Sequence, residues 1–212
     1  MKNEKFLYCY KMTHDTGFAP NPYHGVLTLA TCKPVIRRCA KPDYWVSGWA
    51  SNVVQDNNKK YTDKAQKLIY LAKISEVISY KEYWENYPQK KQPIKSIDSG
   101  KECFKSCGNV IVTKNDDISF CGDNIYEPCN DGFKQHKNPH HGEQNKEHDL
   151  SGKNVLICKE FYYFGIKDAL EIKNKEFDVP RTKKFSLNAK EAKNLIEYVT
   201  NNYSKGLNPK KK

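Results

Sequence analysis

Residues 14–38 gather the side chains that could bind and transform a flat, anionic ligand. The segment reads His14-Asp15-Thr16-Gly17-Phe18-Ala19-Pro20-Asn21-Pro22-Tyr23-His24-Gly25, then a short apolar run, then Cys32, Lys33, Arg37 and Arg38. Glycine and proline restrict the loop, so its polar groups can be aimed rather than left to wander. His14 beside Asp15 suits acid/base work, because histidine titrates near neutrality and a carboxylate can fix its tautomer. Asn21 adds a donor and an acceptor that could read a ligand's polar edge. Lys33, Arg37 and Arg38 offer a point charge and two bidentate forks for phosphate. Cys32 is a candidate nucleophile, since a neighbouring cation such as Lys33 favours thiolate. A tight surface turn followed by a strand with a solvated basic end accounts for the same residues without chemistry.

Flat aromatic faces could stack on a planar ligand. Phe18, Tyr23, Trp45, Trp49, Tyr126 and the pair Tyr162-Tyr163 are the candidates, although large aromatics mostly serve packing. Strand alternation puts Phe161 and Tyr163 on one face and Tyr162 and Phe164 on the other. His140-His141 with His148-Asp149 could close over a pocket as a lid. Asp123 and Asn124, after Gly122, read from the residues alone as a turn or helix cap.

Five blocks in order carry a resemblance. They are residues 14–38; Tyr44-Trp45-Val46-Ser47-Gly48; Lys81-Glu82-Tyr83-Trp84; Gly122-Asp123-Asn124-Ile125-Tyr126; and His148-Asp149 with Asn154-Val155-Leu156-Ile157 and Phe161-Tyr162-Tyr163-Phe164-Gly165. Together they resemble the second nucleotide-modification-associated domain family, with Pro42 standing where that pattern has glycine. The resemblance implies a nucleobase or nucleotide modification protein that binds a nucleotide or a nucleic-acid base, in a pocket built by the 14–38 and 122–126 blocks. It turns Asp123 into a third catalytic candidate beside His14 and Asp15. It also makes Asn124 and Tyr126 binding candidates, with Phe18, Asn21, Lys33, Arg37, Arg38, Trp45, His140 and His141. It implies no metal and no named cofactor, and proteins of modification systems as partners. A non-catalytic reader of modified bases is the alternative.

Strands are expected over Phe6–Met12, Val26–Thr31, Tyr44–Ser51 and Asn154–Phe164. Lys67–Ile78 is ambiguous by period, and its β-branched content favours a strand. Ser79 and Glu82 are spaced as a capping box for a short helix. Leu187, Ala189, Ala192, Leu195, Ile196 and Val199 form the apolar stripe of a helix within 186–203, stopped by Gly206 and Pro209. The result is an α+β fold in one domain spanning 1–212, with a mixed, largely antiparallel sheet or a partly closed barrel, long loops and a flexible basic tail over 205–212. The strand order resembles the PUA-like barrel domains that cradle modified bases.

Lysine and arginine exceed aspartate and glutamate by 36 − 25 = 11, which favours polyanionic partners. No run approaches the length of a membrane span, and the N-terminus lacks the apolar stretch of a secretory signal, so a cytoplasmic protein is expected. Eight cysteines then read as free thiols. Cys103, Cys107, Cys121 and Cys129, with His136, His140 and His141 downstream, depart from the paired spacing of structural zinc sites, and a zinc-stabilised adaptor is the outlying possibility. No glycine-rich phosphate loop, two-histidine metal helix or nucleophile-elbow signature is present.

Overall fold

A computed structural model describes residues 4–56, 59–62, 66–91, 122–138, 140–172 and 182–212. The fold is mixed α+β, rich in sheet and poor in helix. Its chain divides into two compact units: Met1–Asp15, Lys41–Ser75 and Cys158–Lys212 form the first, and Thr16–Ala40 with Glu76–Ile157 the second.

Among the described residues the first unit is a sheet with one helix. Strand β1 (Phe6–His14) runs parallel to β3 (Trp45–Asp56) and antiparallel to β12 (Thr182–Ser186). Beyond β3 come β5 (Lys67–Lys73), β10 (Glu160–Tyr163) and β13 (Gly206–Leu207); β4 (Lys59–Thr62) pairs with β3, and β11 (Leu170–Glu171) with β5. Five of the seven pairings are antiparallel. The path ends at β12 and β13, so among the described residues the sheet stays open: of the two expected forms the mixed, largely antiparallel sheet is seen and no closed barrel forms. Lysines guard the β12 edge, where Lys184 lies 3.5 Å from the Phe6 ring centre.

Strand alternation sorts the aromatics as expected. Tyr162 and Phe164 join Trp45 and Trp49 in a core that takes Ala192, Leu195 and Val199 from helix α4 (Lys190–Asn202). Tyr163 turns the other way. It stacks on Tyr70 and donates to Asp15 Oδ1, while Ile166 N donates to Asp15 Oδ2 at 2.7 Å. The terminal lysines fold back on α4: Lys211 bridges Tyr203, and Lys212 Nζ donates to Thr200 O at 2.7 Å.

The second unit builds the candidate site. Strands β2 (Leu27–Leu29), β9 (Asn154–Cys158) and β6 (Glu76–Ser79) form a small sheet, with the hairpin β7 (Tyr126–Cys129) and β8 (Gly132–Gln135) beside it. The expected strand over Lys67–Ile78 is two strands, β5 and β6, interrupted at Ile74-Ser75. Helix α2 (Tyr80–Asn86) starts with the expected capping box: Glu82 N donates to Ser79 Oγ at 3.2 Å, and Ser79 N to Glu82 Oε2 at 2.8 Å. Two short helices were not anticipated, α1 (Pro34–Cys39) and α3 (Lys146–Leu150). No helix among the described residues is long and apolar enough to cross a membrane.

Candidate functional site

Cys32 occupies the turn between β2 and α1. It has φ +57° and Lys33 has φ +43°, followed by Pro34 in the first turn of the helix. Two consecutive non-glycine residues in the left-handed region are costly, at about 1–3 kcal/mol each, and persist only where surrounding contacts dictate them. A sharp strand-to-helix turn with a positive φ is how a nucleophile is lifted clear of its own strand. Cys32 remains half-buried there.

His141 and Asp149 complete the group. The Cys32 sulfur is 3.5 Å from His141 Nε2, and His141 Nδ1 is 2.6 Å from Asp149 Oδ2. Asp149 is fully buried on α3, and its other oxygen accepts Cys32 N at 2.7 Å. Tyr126 donates to Asp149 Oδ2 at 2.8 Å. The backbone of His141 is held from both directions: Asn138 Oδ1 accepts its N–H at 3.2 Å, and Gln135 Nε2 donates to its carbonyl at 2.9 Å. Phe18 packs on the imidazole at 5.0 Å between ring centres and stacks on His140 at the same distance.

The arrangement sets a thiol beside a base within hydrogen-bond reach of it, and a carboxylate that orients the base. Burial disfavours the His141 cation, but the hydrogen bonds and charges of Asp149 and Cys32 outweigh it and raise His141 to about 9. Burial likewise works against ionised Asp149, yet His141, the Cys32 N–H and Tyr126 hold its carboxyl below the ordinary carboxylate range. An aspartate ionised against an imidazolium is the result at neutral pH, with the Nε2 proton facing sulfur. Thr31 Oγ1, Gln135 Oε1 and Asn138 Nδ2, all in residues flanking or clamping this group, are buried and lack hydrogen-bond partners among the described residues.

A second polar cluster lies deeper in the same unit. Asp123 is fully buried and accepts from Tyr83 OH at 2.6 Å and Thr28 Oγ1 at 2.8 Å. Burial pushes its carboxyl above the ordinary range, against the opposing pull of Lys90, Tyr83 and Thr28. Lys90, also fully buried, donates to Asn21 O, Asn21 Oδ1 and Val26 O at 2.7–3.0 Å. Asn124 Nδ2 donates to Tyr83 O and its N–H to Lys90 O. Gly122 permits this approach, since a Cβ there would collide with the Lys90 carbonyl. Thr28 of the 14–38 block and Asp123 of the 122–126 block are thus joined by a buried hydrogen bond.

The other candidates fall elsewhere. His14 is exposed at the end of β1, while Asp15 is buried and hydrogen-bonded to Tyr163. Trp45 is in the core of the first unit. Lys33 is half-buried, and Arg38 is exposed with Nη1 donating to Ser151 O at 3.0 Å. Arg37 is fully buried, and its guanidinium is directed at four protein oxygens. Cys103, Cys107 and Cys121 of the zinc reading lie outside the described residues. Among the described residues no three or more His, Cys, Asp or Glu are placed to hold a metal ion. Sequence reasoning overlooked Thr28, Tyr80, Tyr83 and Lys90. The capping box held a clue to two of them, because Tyr80 and Tyr83 share a face three residues apart on the helix it starts.

No curated protein and no solved structure matches the chain. Residues 4–210 match the family described as nucleotide modification associated domain 2, and the chain belongs to that family.

Proposed function

We propose that this protein is a cysteine-dependent enzyme acting on a nucleobase or nucleotide, with Cys32 as nucleophile, His141 as acid/base and Asp149 orienting the imidazole. The single observation that carries the reading is the alignment of sulfur, imidazole and carboxylate at 3.5 and 2.6 Å on three separate elements of one unit. Family membership supports a nucleobase or nucleotide as substrate, through the association with nucleotide modification that the family's description records. The eleven excess positive charges favour the approach of such polyanions.

In this mechanism the thiolate of Cys32 forms a carbon–sulfur bond to an electrophilic carbon of the base or nucleotide. The Nε2 proton of His141 goes to the leaving group or to the ring atom that takes up the electron pair. His141, now neutral, removes a proton from the second nucleophile, which displaces sulfur and restores the thiolate–imidazolium pair. Tyr126 holds Asp149 in place as a phenol, because burial and the Asp149 charge push its own ionisation far up. Asp123, assigned acid/base work from the sequence, serves here as a buried anchor for Tyr83 and Thr28. Phosphate contacts fall to exposed Arg38 and to Lys33 beside the nucleophile.

Nucleoside and nucleotide mass spectrometry of cells expressing the wild type, Cys32→Ala or His141→Ala tests this. A nucleoside gained or lost with the wild type alone supports the enzyme. An identical change with Cys32→Ala overturns the nucleophile. No change with any of them, together with binding of a modified nucleic acid by the wild type, favours the non-catalytic reader.

A further inference from the structure

We propose that Arg37 is a positioning residue for the Cys32–His141–Asp149 group, tying the turn that carries the sulfur to the helix that carries the carboxylate. The proposal rests on the reading of that group as catalytic. Arg37 Nε donates to Cys32 O at 2.7 Å and Nη2 donates to Asp149 O at 2.5 Å. One planar cation therefore grips the backbone of both outer members, which are 117 residues apart. Nη1 completes the grip on Asn154 O at 2.8 Å and Tyr80 OH at 2.6 Å, joining β9 and α2. Tyr80 extends it, for its hydroxyl is 2.7 Å from Ala30 O, just before the turn, and 2.8 Å from Asp149 O.

Three features separate this from an ordinary structural hydrogen bond. The acceptors of the guanidinium are all neutral oxygens, and among the described residues no carboxylate forms the ion pair that normally offsets such burial. The four directions are those of a rigid planar fork, which the compact ammonium of lysine does not reproduce. The surroundings are cut to the same shape: a Cβ at Gly152 would fall within about 2.6 Å of three guanidinium atoms, so only glycine lets the fork slide in. The grip acts on the residue that needs it, since Cys32 holds a backbone conformation that it would relax from if its carbonyl were released. The sulfur-to-imidazole distance depends on that turn.

Proton NMR titration of the His141 imidazole in the full chain reads this out, because the titratable groups acting on it are Asp149 and Cys32. Arg37→Lys and Tyr80→Phe conserve charge, so each shifts the midpoint only by loosening the geometry. The expected result is a wild-type midpoint well above the ordinary histidine value, falling in both variants by about one pH unit, a tenfold loss of proton affinity. Arg38→Lys, with the neighbouring cation altered, leaves it in place. A raised wild-type midpoint retained in Arg37→Lys and Tyr80→Phe overturns the positioning role, even if both melt earlier. A wild-type midpoint at the ordinary value sinks the reading of the site itself. Should a variant fail to fold, solvent exchange of Arg37 Nε–H in the wild type decides: slow exchange supports the grip and fast exchange overturns it.

Discussion

Replacing His141 with glutamine removes a pH dependence of stability whose size and sign follow from the site. His141 is only 11% exposed and rises from 6.5 to about 9 on folding. At about 1.4 kcal/mol per pH unit, that difference is about 3 kcal/mol of stabilisation. A folded pKa above the unfolded one means that the contribution is complete below pH 6.5 and disappears as pH climbs through about 9. The assay is urea unfolding at pH 6 and pH 10 for the wild type and His141→Gln. Tyrosine and lysine ionisations contribute nearly alike to both proteins and cancel in the difference. The wild type should lose about 3 kcal/mol more than the variant between the two pH values, read as a shift in midpoint at unchanged slope. Equal losses in both proteins would refute the coupling of His141 to Asp149 and Cys32.

Two further substitutions probe the frame around the site. Lys90→Met removes three buried hydrogen bonds, to Asn21 O, Asn21 Oδ1 and Val26 O, so thermal unfolding should show a loss of about 1–3 kcal/mol. Ser79→Ala deletes the capping box of α2 and should cost about 1 kcal/mol by urea unfolding, leaving the His141 titration unchanged.

Features written in neighbouring residues were legible in the sequence. The capping box at Ser79 and Glu82, the apolar stripe of α4 and the alternation through residues 161–164 each depend on a local period or spacing, and each appears in the fold. What escaped depends on pairing across the chain. Cys32 meets His141 across 109 residues, and no local pattern announces it. Cys32 was a candidate nucleophile from its neighbouring cation, but no base lies near it in sequence. Arg37 looked like a phosphate fork because arginine is seldom fully buried, yet four oxygens from distant segments converge on it. Pro34 did carry a usable signal for α1, since proline favours the first turn of a helix. The left-handed pair just before it, Cys32 and Lys33, has no glycine or asparagine to betray it.

The relative alkylation rate of Cys32 is the most direct measure of whether it works with His141. Exposed Cys39 and Cys129 serve as references within the same chain. Iodoacetamide labelling near neutral pH, followed by peptide mass spectrometry, gives all three rates in one experiment for the wild type and His141→Ala. The account predicts that Cys32 reacts faster than both references despite being less exposed, and slower than both once His141 is gone. Reaction of Cys32 more slowly than Cys39 and Cys129 in the wild type, unchanged by His141→Ala, would contradict it.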